Sequence, residues 1–171
     1  MTDLPRPTPP FAGTIERLIG DSVAAPLPIT QASAGSPNVV VILLDDVGFG
    51  SSNVFGGPVP MPAFQRIADL GLKYNQFHTT ALCAPTRAAL LTGRNHHTAH
   101  MGVIPEGANT FPGYDSVIPP ETATFAEILR QHGWATGCFG KWHLTPMWEL
   151  GPAGPFDRWP QARGSTGSTG S

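Results

Sequence analysis

Six consecutive aliphatic residues, Val39-Val40-Val41-Ile42-Leu43-Leu44, constrain this chain more than any other feature. Nothing polar alternates through the run, so neither of its faces is suited to water, and the β-branched residues favour extended backbone. The pattern predicts a strand buried on both faces, the kind found inside parallel sheets. The run is far shorter than the roughly 20 residues a bilayer-spanning helix needs. It stops at Asp45-Asp46 and enters a loop rich in glycine, with Gly48, Gly50, Gly56 and Gly57.

Helical and extended signals alternate after that loop. Pro62 suits a first helical turn, Phe64, Ile67 and Ala68 share an inward face, and Gly71 stands where the helix should end. Residues 72–78 read as a second strand. Residues 85–91 form a short helix closed by Gly93. Residues 95–120 make an irregular stretch too long for a simple connection, and such stretches tend to be functional. Thr124 and Glu127 then have capping-box spacing, with Phe125, Ile128 and Leu129 on one face and Gly133 as terminator. Residues 134–139 read as a third strand. This order is that of an α/β fold with a largely parallel central sheet.

Composition bounds the remainder. The chain has 171 residues, 20 of them Gly and 19 Pro, with 40% hydrophobic residues, enough for a core in part of its length. Seven of the 19 prolines fall in residues 1–37, which read as an extended arm; a short helix around Ile15, Leu18 and Ile19 is the exception. Residues 161–171 run into a Gly/Ser/Thr repeat and read as a flexible low-complexity tail. Between them, residues 38–160 form the candidate domain. A net charge of -2 with 13% charged residues gives no basic excess for nucleic acid or an anionic membrane. The first residues lack an apolar h-region, so a cytoplasmic location and unpaired Cys83 and Cys138 are expected. Cys138, in an apolar setting, reads as a plain buried thiol.

Ligands in α/β sheets bind beyond the carboxyl ends of strands, the place that Asp45 and Asp46 take. Adjacent carboxylates there suit a hard divalent cation held by oxygen; a solvated turn is the plainer alternative. Cys83-Ala84-Pro85-Thr86-Arg87 carries more information. Pro85 sets Cys83 at a helix entrance, where free N–H groups favour an anion, and Arg87 lies one turn further on the same face. Lys141 and His143 flank Trp142 at a strand end, so both point to one side while Trp142 points to the other. Asn95-His96-His97-Thr98-Ala99-His100 brings histidines together without a zinc signature, and lining a substrate pocket fits that segment better.

The cysteine segment continues to Leu91-Thr92-Gly93, giving C-x-P-x-R-x-x-x-L-T-G in full. With residues 38–48 and Gly140-Lys141-Trp142-His143, it resembles the type I sulfatases, of the arylsulfatase kind, in the alkaline-phosphatase superfamily. The resemblance covers about residues 38–160. It implies the N-terminal portion of an alkaline-phosphatase-like sandwich and a sulfuric ester hydrolase. Cys83 matches the cysteine that a formylglycine-generating enzyme oxidises to Cα-formylglycine, whose hydrate attacks the sulfur of a sulfate monoester. Asp45 and Asp46, with residue 83 itself, match positions that contact the metal, Ca²⁺ in most members and Mg²⁺ as the other candidate. Arg87 matches the residue that holds the formylglycine, Lys141 the sulfate-binding lysine, and His143 the histidine beside the gem-diol. The expected partners are thus a small-molecule sulfate ester and the maturation enzyme, with no nucleic acid and no membrane.

Sulfatases of this kind are longer and bring further metal ligands and a second His and Lys from later residues, which have no match here. The expectation is therefore a truncated catalytic domain, 38–160, with negligible turnover on its own. A phosphodiester or phosphonate monoester hydrolase of the same superfamily is the alternative chemistry, and a non-catalytic fragment the alternative class.

Overall fold

The computed structural model describes residues 10–25 and 30–169. Among these residues three α-helices, α1 (Pro62–Leu70), α2 (Cys83–Thr92) and α3 (Phe125–Gln131), punctuate largely irregular backbone. Strands β1 (Gly137–Phe139) and β2 (Gly167–Thr169) pair in parallel, Gly137 opposite Gly167. Short 3₁₀ turns at Asn53–Phe55, Pro105–Gly107 and Met147–Glu149 fix three of the loops.

Each helix begins and ends within two residues of where its sequence directs. Pro62 takes the first position of α1 and Gly71 its C-cap. Helix α2 starts at Cys83, two residues before the expected 85, and closes on Gly93 at φ +64°, a left-handed cap that glycine adopts without steric cost. Thr124 caps α3 with both reciprocal bonds of the capping box, its hydroxyl accepting from Glu127 N and its N–H donating to the Glu127 carboxylate.

The core is small and determines where the site lies. Ala84 and Ala88 from α2 pack with Ala99, Met101 and Ile118 of the long irregular stretch and with Trp142 and Leu144 after β1. Leu91, Ile104 and Cys138 close its edges. Trp142 is anchored further by its indole N–H, which donates to Arg158 O. With Trp142 and Leu144 turned inward, Lys141 and His143 are left to the other side.

The sheet departs from expectation. Residues 39–44 form no strand, and Val40 is 81% exposed; residues 72–78 are likewise irregular. Extended backbone becomes a strand only when a neighbour takes its N–H and C=O groups, and among the described residues no neighbour pairs with either run. The third expected strand shrinks from 134–139 to β1, and the central parallel sheet is reduced to one two-stranded pairing. Ile67, expected to face inward, is 61% exposed on α1, while Phe64 and Ala68 are half-buried.

The tail departs in the opposite sense. Arg163, Gly164 and Ser165 are buried. Thr124 Oγ1 donates to Arg163 O at 2.8 Å, and Thr166 N donates to Thr136 O at 2.9 Å. Glycine and hydroxyl side chains give no apolar signal, but they let backbone approach closely, and that is how this segment packs. Residues 1–9 and 26–29 of the arm lie outside the described residues; in the part described, the helix expected around Ile15 is a 3₁₀ turn, Ile19–Asp21, beside a Thr14–Val23 bridge. No described helix is long and apolar enough to cross a membrane.

Candidate active site

Cys83 occupies the first residue of α2, half-buried, at the rim of a cavity of about 420 Å³ that Asp45, Asp46 and Arg87 also line. The buried face of α2 (Ala84, Pro85, Arg87, Ala88) fixes the helix on the core, so the position of Cys83 follows from packing. From the opposite side His143 brings Nδ1 to 3.0 Å from Cys83 Sγ. His143 sits at φ +55°, a left-handed backbone that a non-glycine residue rarely adopts.

Arg87 and Lys141 converge on one carboxylate. Arg87 donates through one terminal nitrogen to Asp45 Oδ1 at 2.8 Å and through the other to the Lys141 carbonyl at 2.6 Å. Lys141 Nζ donates to Asp45 Oδ2 at 2.8 Å. The hydrogen bond from Lys141, and then that from Arg87, holds the Asp45 carboxyl below its usual pKa. Reciprocally, Asp45 raises the Lys141 ammonium, and the nearby Cys83 adds to the rise. Six residues singled out from sequence thus meet: Cys83, Arg87, Lys141, His143 and Asp45 directly, and Asp46 along the same cavity.

A residue that the sequence did not flag completes the cluster. Glu106, in the 3₁₀ turn Pro105–Gly107, places both carboxylate oxygens on His143 Nε2, at 3.1 and 3.0 Å. Its only sequence signal was membership of the long irregular stretch. Conversely, His96, His97 and His100 line neither cavity at the site. The rings of His96 and His97 lie tilted against each other with centroids 4.2 Å apart, and His100 Nδ1 meets the Asp115 carboxylate at 3.0 Å. Cys138 is free and half-buried, and burial pushes its thiol pKa up.

The donor set does not by itself make a metal centre. Both Asp45 oxygens are engaged by cationic side chains, and among the described residues no group of three or more His, Cys, Asp or Glu is placed to hold a metal ion. Calcium takes about six to eight oxygens. Two aspartates, one of them already neutralised, fall well short of that.

A second cavity, about 610 Å³, opens on the other side of Lys141 and His143, walled by Trp142, Met147, Leu150 and Trp159 with Glu106 at its edge. The arrangement therefore sets a recess of mixed lining, with Asp45, Asp46, Cys83 and Arg87 among its polar groups, beside a mostly apolar cavity whose wall includes Lys141 and His143. Such a pairing can hold a small anion at residue 83 and an organic group beside it.

Comparison with known proteins gives a consistent picture. The sequence model of the sulfatase family matches residues 37–168. An uncharacterized sulfatase of Schizosaccharomyces pombe is 36% identical over 143 residues, covering 78% of this chain and 24% of that protein. Human arylsulfatase A is 39% identical over 127 residues, covering 73% of this chain and 24% of the relative. An arylsulfatase of Klebsiella aerogenes is 37% identical over 110 residues, with 63% and 24% covered. The chain thus spans about a quarter of the length of the curated relatives it matches.

Proposed function

We propose, from the premise that this chain belongs to the sulfatase family, that its protein hydrolyses sulfate monoesters with residue 83 as the position that bears the nucleophile. The observation that carries this reading is the convergence of His143 Nδ1 on Cys83 Sγ beside the Arg87–Asp45–Lys141 cluster. Sulfate transfer needs a nucleophile, a base beside it and fixed positive charge for the sulfuryl oxygens, and the cluster supplies those roles.

Oxidation of Cys83 to formylglycine would supply a hydrated aldehyde, an oxygen nucleophile whose sulfate ester can be released again by C–O cleavage. The chain's own residues do the rest. Lys141 carries three N–H donors and gives one to Asp45, leaving donors for a sulfate oxygen next to residue 83. Arg87, buried and fixed to Asp45 and to the Lys141 carbonyl, keeps the head of α2 and residue 141 in register. His143 holds or moves a proton at Nδ1, the atom that faces residue 83. The divalent cation of the resemblance would take Asp45 and Asp46, but the described donors are too few for it.

The arylsulfatase relatives favour an aryl ester as the first substrate to try. An assay on an aryl sulfate and the matching aryl phosphate, after co-expression with a formylglycine-generating enzyme, tests the reading. Faster turnover of the sulfate by the whole protein, abolished by Cys83→Ala, is the expected result; turnover unaffected by Cys83→Ala would refute it.

A further inference from the structure

The imidazole of His143 has two nitrogens and a rotatable ring, so contact with residue 83 through one particular nitrogen needs something to hold the ring. The wall of the second cavity contains that support. Pro105, buried, anchors the Pro105–Gly107 turn, and Gly107 N donates to Ile104 O at 2.9 Å while Ile104 packs on the core. The turn is therefore fixed from behind, and Glu106 projects from it onto His143 Nε2 with both oxygens within hydrogen-bond distance. The Glu106 side chain is 50% exposed, whereas that of His143 is only 16% exposed, so the ring is the enclosed partner.

We infer that Glu106 is a positioning residue that acts through His143, accepting a hydrogen bond from Nε2 and so keeping Nδ1 turned toward residue 83. A carboxylate can only accept at this contact, so the hydrogen lies on Nε2. A ring turned by 180° would put Cδ2 and Cε1 where Nδ1 and Nε2 now meet Cys83 and Glu106 and lose both contacts, and the other tautomer would aim a bare Nε2 lone pair at two carboxylate oxygens, so both alternatives are disfavoured. The backbone N–H of Glu106, and after it His143, hold the Glu106 carboxyl below its ordinary range, in keeping with an acceptor that stays ionised at neutral pH. The left-handed backbone of His143, at φ +55°, shows that the surroundings over-determine this residue's conformation.

The inference rests on the sulfatase reading for its catalytic meaning, but its test does not. Nuclear magnetic resonance of the 171-residue chain, unoxidised and labelled with ¹⁵N-histidine, reads the contact directly. The expected spectrum has a downfield, slowly exchanging ring N–H that His143→Gln removes, which assigns it. Glu106→Ala should raise its exchange with water at least tenfold or abolish the signal. Glu106→Gln should keep it at a shifted position, because the amide oxygen still accepts. Cys83→Ala should move the His143 Nδ1 resonance in the parent chain and leave it unmoved once Glu106 is alanine. Absence of a protected His143 proton in the parent chain, or its persistence unchanged in Glu106→Ala, overturns the inference. If the contact is seen but Cys83 is never converted to an aldehyde, the sulfatase reading falls and the positioning role stands; conversion without the contact separates them the other way.

Discussion

At the scale of single residues, one carboxylate organises the site. Asp45 takes Arg87 on one oxygen and Lys141 on the other, so three side chains far apart in sequence are tied at one point. Arg87→Ala should remove both the ion pair and the bond to the Lys141 carbonyl. Arg87 itself is buried, so its loss should lower the urea midpoint of the chain. The pH dependence has a definite sign. The folded Asp45 carboxyl titrates below its unfolded value, so the clamp contributes fully above about pH 4 and is lost as pH falls through the lower folded pKa. Lys141 is shifted upward, so its contribution is lost only on the alkaline side, as pH rises beyond about 10.4 through the folded value. Urea midpoints measured from pH 6 to pH 3 should fall in the parent chain and fall less in Asp45→Asn.

Elements with a local cause were legible; those needing a distant partner were not. Pro62, Gly71, Gly93 and the Thr124–Glu127 box each act within a few residues, and all three helices appear where these signals put them. Cys83 and Arg87 were legible for the same reason, as two positions on one helical turn. Residues 39–44 were read as a strand from side chains alone, but strand formation is settled by a neighbour's backbone, which no sequence window displays. Glu106 was missed because its role depends on contact with residue 143, reached through a folded loop. The packing of residues 163–165 gives no apolar signal, because it relies on the absence of side-chain bulk. Gly164 sits at φ +102°, and a Cβ there would overlap the backbone nitrogen of Glu127 at the start of α3. Gly164→Ala should therefore lower stability by about 1–3 kcal/mol, measured by thermal or urea unfolding, while Gly167→Ala, with open space around it, should change it much less.

At the scale of the whole molecule, the small core and the exposed aliphatic run pull against each other. Met101 and Leu144 are fully buried in the cluster that positions α2 against the 141–144 segment. Leu144→Ala should cost about 2–5 kcal/mol, a large share of what a core this size can supply, with far-UV circular dichroism as the readout. Val39, Val40 and Ile42, each more than half exposed, form an unpaired strand-like run of the kind that promotes association. Val40→Lys should lower self-association in sedimentation experiments and leave the unfolding midpoint of the chain nearly unchanged. The chain therefore presents α2 facing Lys141 and His143, with few of the sheet contacts its apolar run is suited to make. The role proposed for residue 83 turns on the fate of one atom, the sulfur of Cys83. Mass spectrometry of the Cys83-bearing peptide, after expression with a formylglycine-generating enzyme, follows that atom directly. Replacement of the thiol by an aldehyde that a hydrazide probe captures is the predicted result; an intact thiol at Cys83 under those conditions would contradict the account.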